Sequence, residues 1–197
     1  SIWGIIFITQ LITAVLLIRS VFTEKISEAS SQRLSMQLIK IHIANILWSW
    51  FWLNDQTLIS VVVMLLLLAY LIGLTRFTRR AQDVSNLIKR SLDIYLGWIA
   101  VATIANISAL LAKLDWSPLL SEISWAAIMI LVAGALNAIM VLKEKNYAFA
   151  WVGVWALIAI AVRHWDSETQ LNWFAIASIL LIAVSYVVSL KKKQSLA

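Results

Sequence analysis

Seven apolar runs, at about residues 2–21, 38–53, 57–74, 91–111, 122–142, 147–162 and 170–190, alternate with polar joints along the chain. Most are close to the ~20 residues that cross ~30 Å of hydrocarbon. Each is apolar nearly all round, as helices facing lipid must be, and the need to satisfy backbone groups within lipid excludes an open sheet. The expected fold class is therefore all-α, a polytopic membrane helix bundle with about seven transmembrane helices. A hydrophobic share of 62% and a mean hydropathy of +0.88 agree, since both lie far outside the range of water-soluble domains.

The charges give an orientation. Of the 16 basic residues, all but Lys113 and Arg163 flank alternate joints or the tail. Arg19, Lys25, Arg33 and Lys40 surround the first joint, Arg76, Arg79, Arg80, Lys89 and Arg90 the third, Lys143 and Lys145 the fifth, and Lys191, Lys192 and Lys193 the end. Basic residues mark cytoplasmic loops. The C-terminus and the two long loops are accordingly expected in the cytoplasm, with Ser1 outside. The net charge of +6 is thus a topology signal, not a nucleic-acid footprint. Because the chain opens at Ser1 inside an apolar run, a preceding segment is expected.

Several chemistries find no support. With no cysteine there is neither a disulfide framework nor a thiolate site. No Ser-His-Asp set, HExxH or phosphate loop is present. No acidic residue lies deep in a span, which disfavours an ion-coupled carrier. Asp93 comes nearest, at a basic boundary, with Lys89 or Arg90 as its expected partner.

What remains is aromatic, small and amide surface. The 11 tryptophans exceed what anchoring at the two interfaces usually uses. In the run from Ser91 to Leu111, Trp98, Ala102 and Asn106 are spaced i, i+4, i+8, with Tyr95 a turn below, so an aromatic, a recess and a carboxamide share one stripe. Such a stripe suits the wall of a pocket for a flat apolar ligand; helix packing is its commoner use. Asn45 and Trp48 stand i, i+3 in the second run. His42, a turn earlier, is a solvated boundary residue or, less commonly, an axial haem ligand. Trp50 and Trp52 read as an interfacial belt, and Trp3, near a helix end, as an anchor.

Other stretches read as scaffold. Residues 22–37 are expected to form a polar loop with a turn or two of helix, and the third run a lipid-facing helix of little polar content. Phe77, Ala81, Val84 and Ile88 repeat at helical spacing among basic residues, the pattern of a helix lying on an anionic leaflet. Ser117-Pro118 predicts an extended turn, and Ser121 the start of the fifth helix. Gly134 and Ala138, flanked by Asn137, predict close helix contact. Tyr147, Trp151 and Trp155 form an aromatic ladder, and His164 sits in an exposed turn.

Three islands resemble the TspO/MBR family of tryptophan-rich sensory or translocator proteins. Tyr95-Leu-Gly-Trp98-Ile-Ala-Val-Ala102-Thr-Ile-Ala-Asn106 is similar to that family's last helix, with Ile94 where the family has proline. Ala44-Asn45-Ile-Leu-Trp48-Ser49 is similar to its third, and Trp3, with Phe7 in place of a tyrosine, to its second. The resemblance covers about residues 1–111, leaving 112–197 as a C-terminal three-helix membrane extension. It implies that the family's first helix is missing and that the true N-terminus is cytoplasmic. It also implies a cavity for a tetrapyrrole, porphyrin or haem, or a sterol-like molecule, with Trp3, Asn45, Trp48, Tyr95, Trp98, Ala102 and Asn106 as the ligand-binding residues. Some bacterial members degrade porphyrin in light, which would make Trp3 and Trp98 the participants here. The expectation is an integral-membrane binding or sensory protein with no obligatory cofactor and no metal. Its partners would be membrane lipid, the ligand, and a second copy or a larger membrane complex. The alternative is an accessory structural subunit of a membrane complex, one that holds pigment included; a transporter ranks third.

Overall fold

The computed structural model describes residues 2–23, 26–116, 120–165 and 169–194, without the side chains of residues 2, 3, 21 and 192–194. It is 88% helical. Seven helices follow one another among the described residues: α1 (Ile2–Phe22), α2 (Glu28–Leu53), α3 (Thr57–Arg80), α4 (Asn86–Lys113), α5 (Glu122–Leu142), α6 (Tyr147–Arg163) and α7 (Thr169–Gln194). Helices α3, α4, α5 and α7 are long and apolar enough to cross a membrane, while α1 and α6 hold shorter apolar stretches, Gly4–Ser20 and Tyr147–Arg163. The chain divides into two compact units, Ser1–Asn106 and Ile107–Ala197.

In the first unit α2 does not wait for the apolar run. It begins at Glu28, where the sequence suggests a loop, because Ser27 caps it by accepting a hydrogen bond from the Ser30 amide at 3.2 Å. Helix α3 is the other departure from expectation. It is not a lipid-facing scaffold: 44% of its apolar window is buried, the largest share of the four long spans. Met64, Leu67, Leu71 and Leu74 fill the core, and the polar residues on that face, Ser60, Thr75 and Thr78, return their hydroxyl protons to carbonyls of their own helix.

The expected surface helix around residue 81 does not form as a separate element. Helix α3 continues to Arg80, Ala81 turns extended, and α4 starts at Asn86. The apolar members of the pattern face inward instead: Val84 and Ile88 are buried, and Phe77 lies beneath the Arg33 guanidinium at 4.4 Å. Asp93 pairs across helices with Arg79 at 3.1 Å rather than within its own turn, while Lys89 donates to the carbonyl of Ala81.

In the second unit α5 packs on α7 and α6 on both. Small residues let the backbones approach, as the sequence predicts. A Cβ on Gly134 would stand 2.6 Å from Ser178 Cβ, and one on Gly153 would meet the Asn137 amide. Ser121 caps α5. The tight corner before α6 holds Lys145 at a φ of 53°, and its ammonium donates to Ser189 on α7 at 3.0 Å. The Tyr147 ring meets Tyr186 edge-on. The predicted Ser117-Pro118 turn lies outside the described residues.

Candidate functional site

All seven predicted ligand-binding residues belong to the first unit. Trp3 lies in the first turn of α1, and its side chain is outside the described residues. The others sit on helices whose antiparallel register is fixed by named contacts. Thr13 donates to Ser91 at 2.6 Å, and Ser91 reaches the carbonyl of Thr9, which sets α1 against α4. Ser60 is 3.1 Å from the Asn106 carboxamide oxygen, which sets α3 against α4. The Arg33–Phe77 stack and the Asn54–Gln56 turn set α2 against α3.

Counting along those registers brings Trp3, Asn45, Trp48, Trp98 and Ala102 to similar depths. Asn45 falls opposite Leu65, and so near Val101, about one turn from both Trp98 and Ala102. Trp48 falls near Ile104, and the backbone of Trp3 near Val101. Tyr95 lies about 9 Å nearer the other end of the bundle. Tyr95 and Asn106 are buried, and Trp98, Ala102, Asn45 and Trp48 half-buried. Asn45 and Trp48 share the face of α2 that buries Leu34, Leu38 and Ile41, and both α2 and α4 pack on α3.

The polar atoms of this group are unusual. Asn45 Oδ1, the Tyr95 hydroxyl and Asn106 Nδ2 are shielded from solvent without a hydrogen-bond partner among the described residues. So are both amide atoms of Gln10, which the α1–α4 register places level with Tyr95. Gln10 lies outside the three motif islands, and its only mark in the sequence is a carboxamide in the middle of an apolar helix. An unpaired buried amide costs about 1–3 kcal/mol.

The remaining aromatic residues divide as their positions suggest. Trp50, Trp52, Trp116, Trp151, Trp165 and Trp173 are exposed, as lipid-rim residues are. Trp48 stacks on Trp52 with centroids 6.4 Å apart. His42 is exposed on α2, and His164 caps the end of α6; no cluster of metal-ligating side chains occurs among the described residues. Among the described residues, cavities of about 550 and 270 Å³ are lined by side chains other than the seven candidates.

These features define the class: an integral membrane protein whose described residues form helices and their connections, with a first unit that holds carboxamide and phenol groups in its interior. A family model described as TSPO-like protein matches residues 1–188, and the chain belongs to that family. The match extends well beyond the three motif islands and runs through both units. Membership supports a binding or sensory role in the membrane. Comparison with curated proteins and with solved structures gives no significant match.

Proposed function

We propose that the chain binds and senses a flat apolar ligand, a tetrapyrrole such as a porphyrin, in the first unit between α1, α2 and α4. Residues 1–111 would carry the site and 112–197 the membrane extension. The observation that supports this most is the set of unpartnered polar atoms on those three helices, Gln10, Asn45, Tyr95 and Asn106, beside the half-buried indoles of Trp48 and Trp98. A porphyrin answers both halves of that chemistry. Its face stacks on indole, and its carboxylates, which leave one edge of the ring, accept either from Tyr95 or from Asn106, which stand about 16 Å apart along α4. Ala102 leaves room for the ring. With His42 turned outward, the pocket favours a free-base porphyrin over an iron-ligated haem.

The test is quenching of intrinsic tryptophan fluorescence by protoporphyrin IX in the purified chain. Saturable quenching is expected, weakened about tenfold by Trp98→Ala and by Asn45→Ala but not by Trp173→Ala on the exposed face of α7. An unsaturable response removes the ligand; saturation unchanged in both site variants removes the site. Copurified membrane proteins without such a response would mark an accessory subunit instead.

The distribution of lysine and arginine supports a cytoplasmic C-terminus. Since the chain has no cysteine, single cysteines can report this cleanly. One at Ser85 should be shielded from an impermeant reagent in intact cells and one at Asp115 labelled; the reverse pattern inverts the topology.

A further inference from the structure

The larger cavity, of about 550 Å³, lies where the C-terminal end of α1 meets the connection between α3 and α4, away from the porphyrin candidates. Among the described residues its walls carry one charge of each sign, Arg19 from α1 and Asp83 from the connection, over an apolar floor that includes Leu16, Val84 and Ile88. Arg19 is exposed and makes no ion pair among the described residues. Asp83 is held in place. Its carboxylate accepts from the Ser27 amide at 3.0 Å, the Ser27 hydroxyl at 2.7 Å and Ser30 Oγ at 3.3 Å. These bonds fix the carboxylate without neutralising it, and no cation pairs with it among the described residues, so its charge is left for an ammonium.

The surroundings say what kind of molecule brings such a donor. Ile8, Ile12 and Val15 are exposed and form a continuous stripe along α1 that ends at Arg19. An acyl chain laid on that stripe arrives with its headgroup at the cavity mouth. The volume is larger than a bare ion needs and accommodates a phosphate, a two-carbon arm and an amine together.

We propose that this cavity seats the headgroup of a phospholipid bearing both a phosphate and a primary amine, the phosphate against Arg19 and the ammonium against Asp83, with its chains along α1. The Ser27 bonds keep the carboxyl down at about 2, so it is charged wherever membranes exist. A lipid with a quaternary ammonium satisfies Arg19 but offers Asp83 no N–H; an anionic glycerol headgroup brings no cation.

The experiment is competition between lipids for the delipidated full chain in detergent, read by native mass spectrometry. Dioleoylphosphatidylethanolamine is expected to outcompete both the phosphatidylcholine and the phosphatidylglycerol of the same chains by about tenfold, the scale of one charge-assisted hydrogen bond. Stepwise N-methylation of the headgroup should erode that preference, a series that leaves the protein untouched; Asp83→Ala should abolish it, whereas Arg19→Ala should weaken all three lipids together. Equal occupancy by the choline lipid, tighter binding of the glycerol lipid, or a preference that survives Asp83→Ala overturns the proposal. Equal competition by soluble glycerophosphoethanolamine overturns the lipid as its source.

Discussion

The contact between α5 and α7 is tight enough to yield a number. A methyl group on Gly134 would sit 2.6 Å from both Cβ and Oγ of Ser178 and 3.2 Å from its backbone Cα. Ordinary carbon contacts are about 3.5–4.0 Å, so the helices must part by about 1 Å; a new Ser178 rotamer would move Oγ but leave Cβ in place. Parting also stretches the Ser178 hydroxyl bond to the Ile130 carbonyl, already 3.3 Å. Overpacking of this kind costs about 1–3 kcal/mol, against about 0.6 kcal/mol for an average interhelical hydrogen bond in a membrane protein. Steric clash therefore decides the outcome, and the cost of Gly134→Ala should fall largely away when Ser178→Gly removes both offending atoms. The assay is a double-mutant cycle in mixed micelles, titrating a denaturing detergent and following helicity. A coupling of about 1 kcal/mol or more is expected. If the two substitutions add within about 0.5 kcal/mol, the close approach is not what stabilises this pair.

The fluorescence, labelling and lipid-competition experiments supply three further predictions. A fourth concerns acid. The Asp83 carboxyl is lowered from its usual range to about 2, first by the Ser27 hydroxyl and then by the Ser27 amide. Its contribution is thus present in full above the unfolded value near 4 and disappears as pH falls towards 2. The thermal midpoint of the native chain should exceed that of Asp83→Ala at pH 5, and the gap should close by pH 2; a gap independent of pH would mean that the ionised carboxylate is not the stabilising species.

Most of the architecture was legible because a bilayer enforces simple rules. Apolar length located the spans, Ser121 announced the start of α5, and Gly134 marked a close contact. What escaped lies where those rules stop. Residues 28–37 are polar because they continue α2 past the expected hydrocarbon boundary, and hydropathy does not distinguish a helix leaving the membrane from a loop. Phe77, Ala81, Val84 and Ile88 keep helical spacing across a non-helical break over residues 81–85, and periodicity alone is blind to such a break. Asp93 found Arg79 because helix packing, not sequence distance, put a guanidinium within reach. In the candidate site the stripe on α4 and the Asn45–Trp48 pair were visible as patterns, since spacing on one helix fixes a shared face. Gln10 joined them only once the hydroxyls of Thr13 and Ser91 had set how far α1 slides along α4.

Lys145 bends the chain through the left-handed region and, with the same side chain, ties the corner to the last turns of α7. The two demands pull in opposite directions. Glycine would ease the backbone by about 1 kcal/mol yet unhitch Ser189, and a long neutral residue would keep the strain while losing the tether. An ordinary-looking surface lysine is thereby one of the least replaceable positions on the rim.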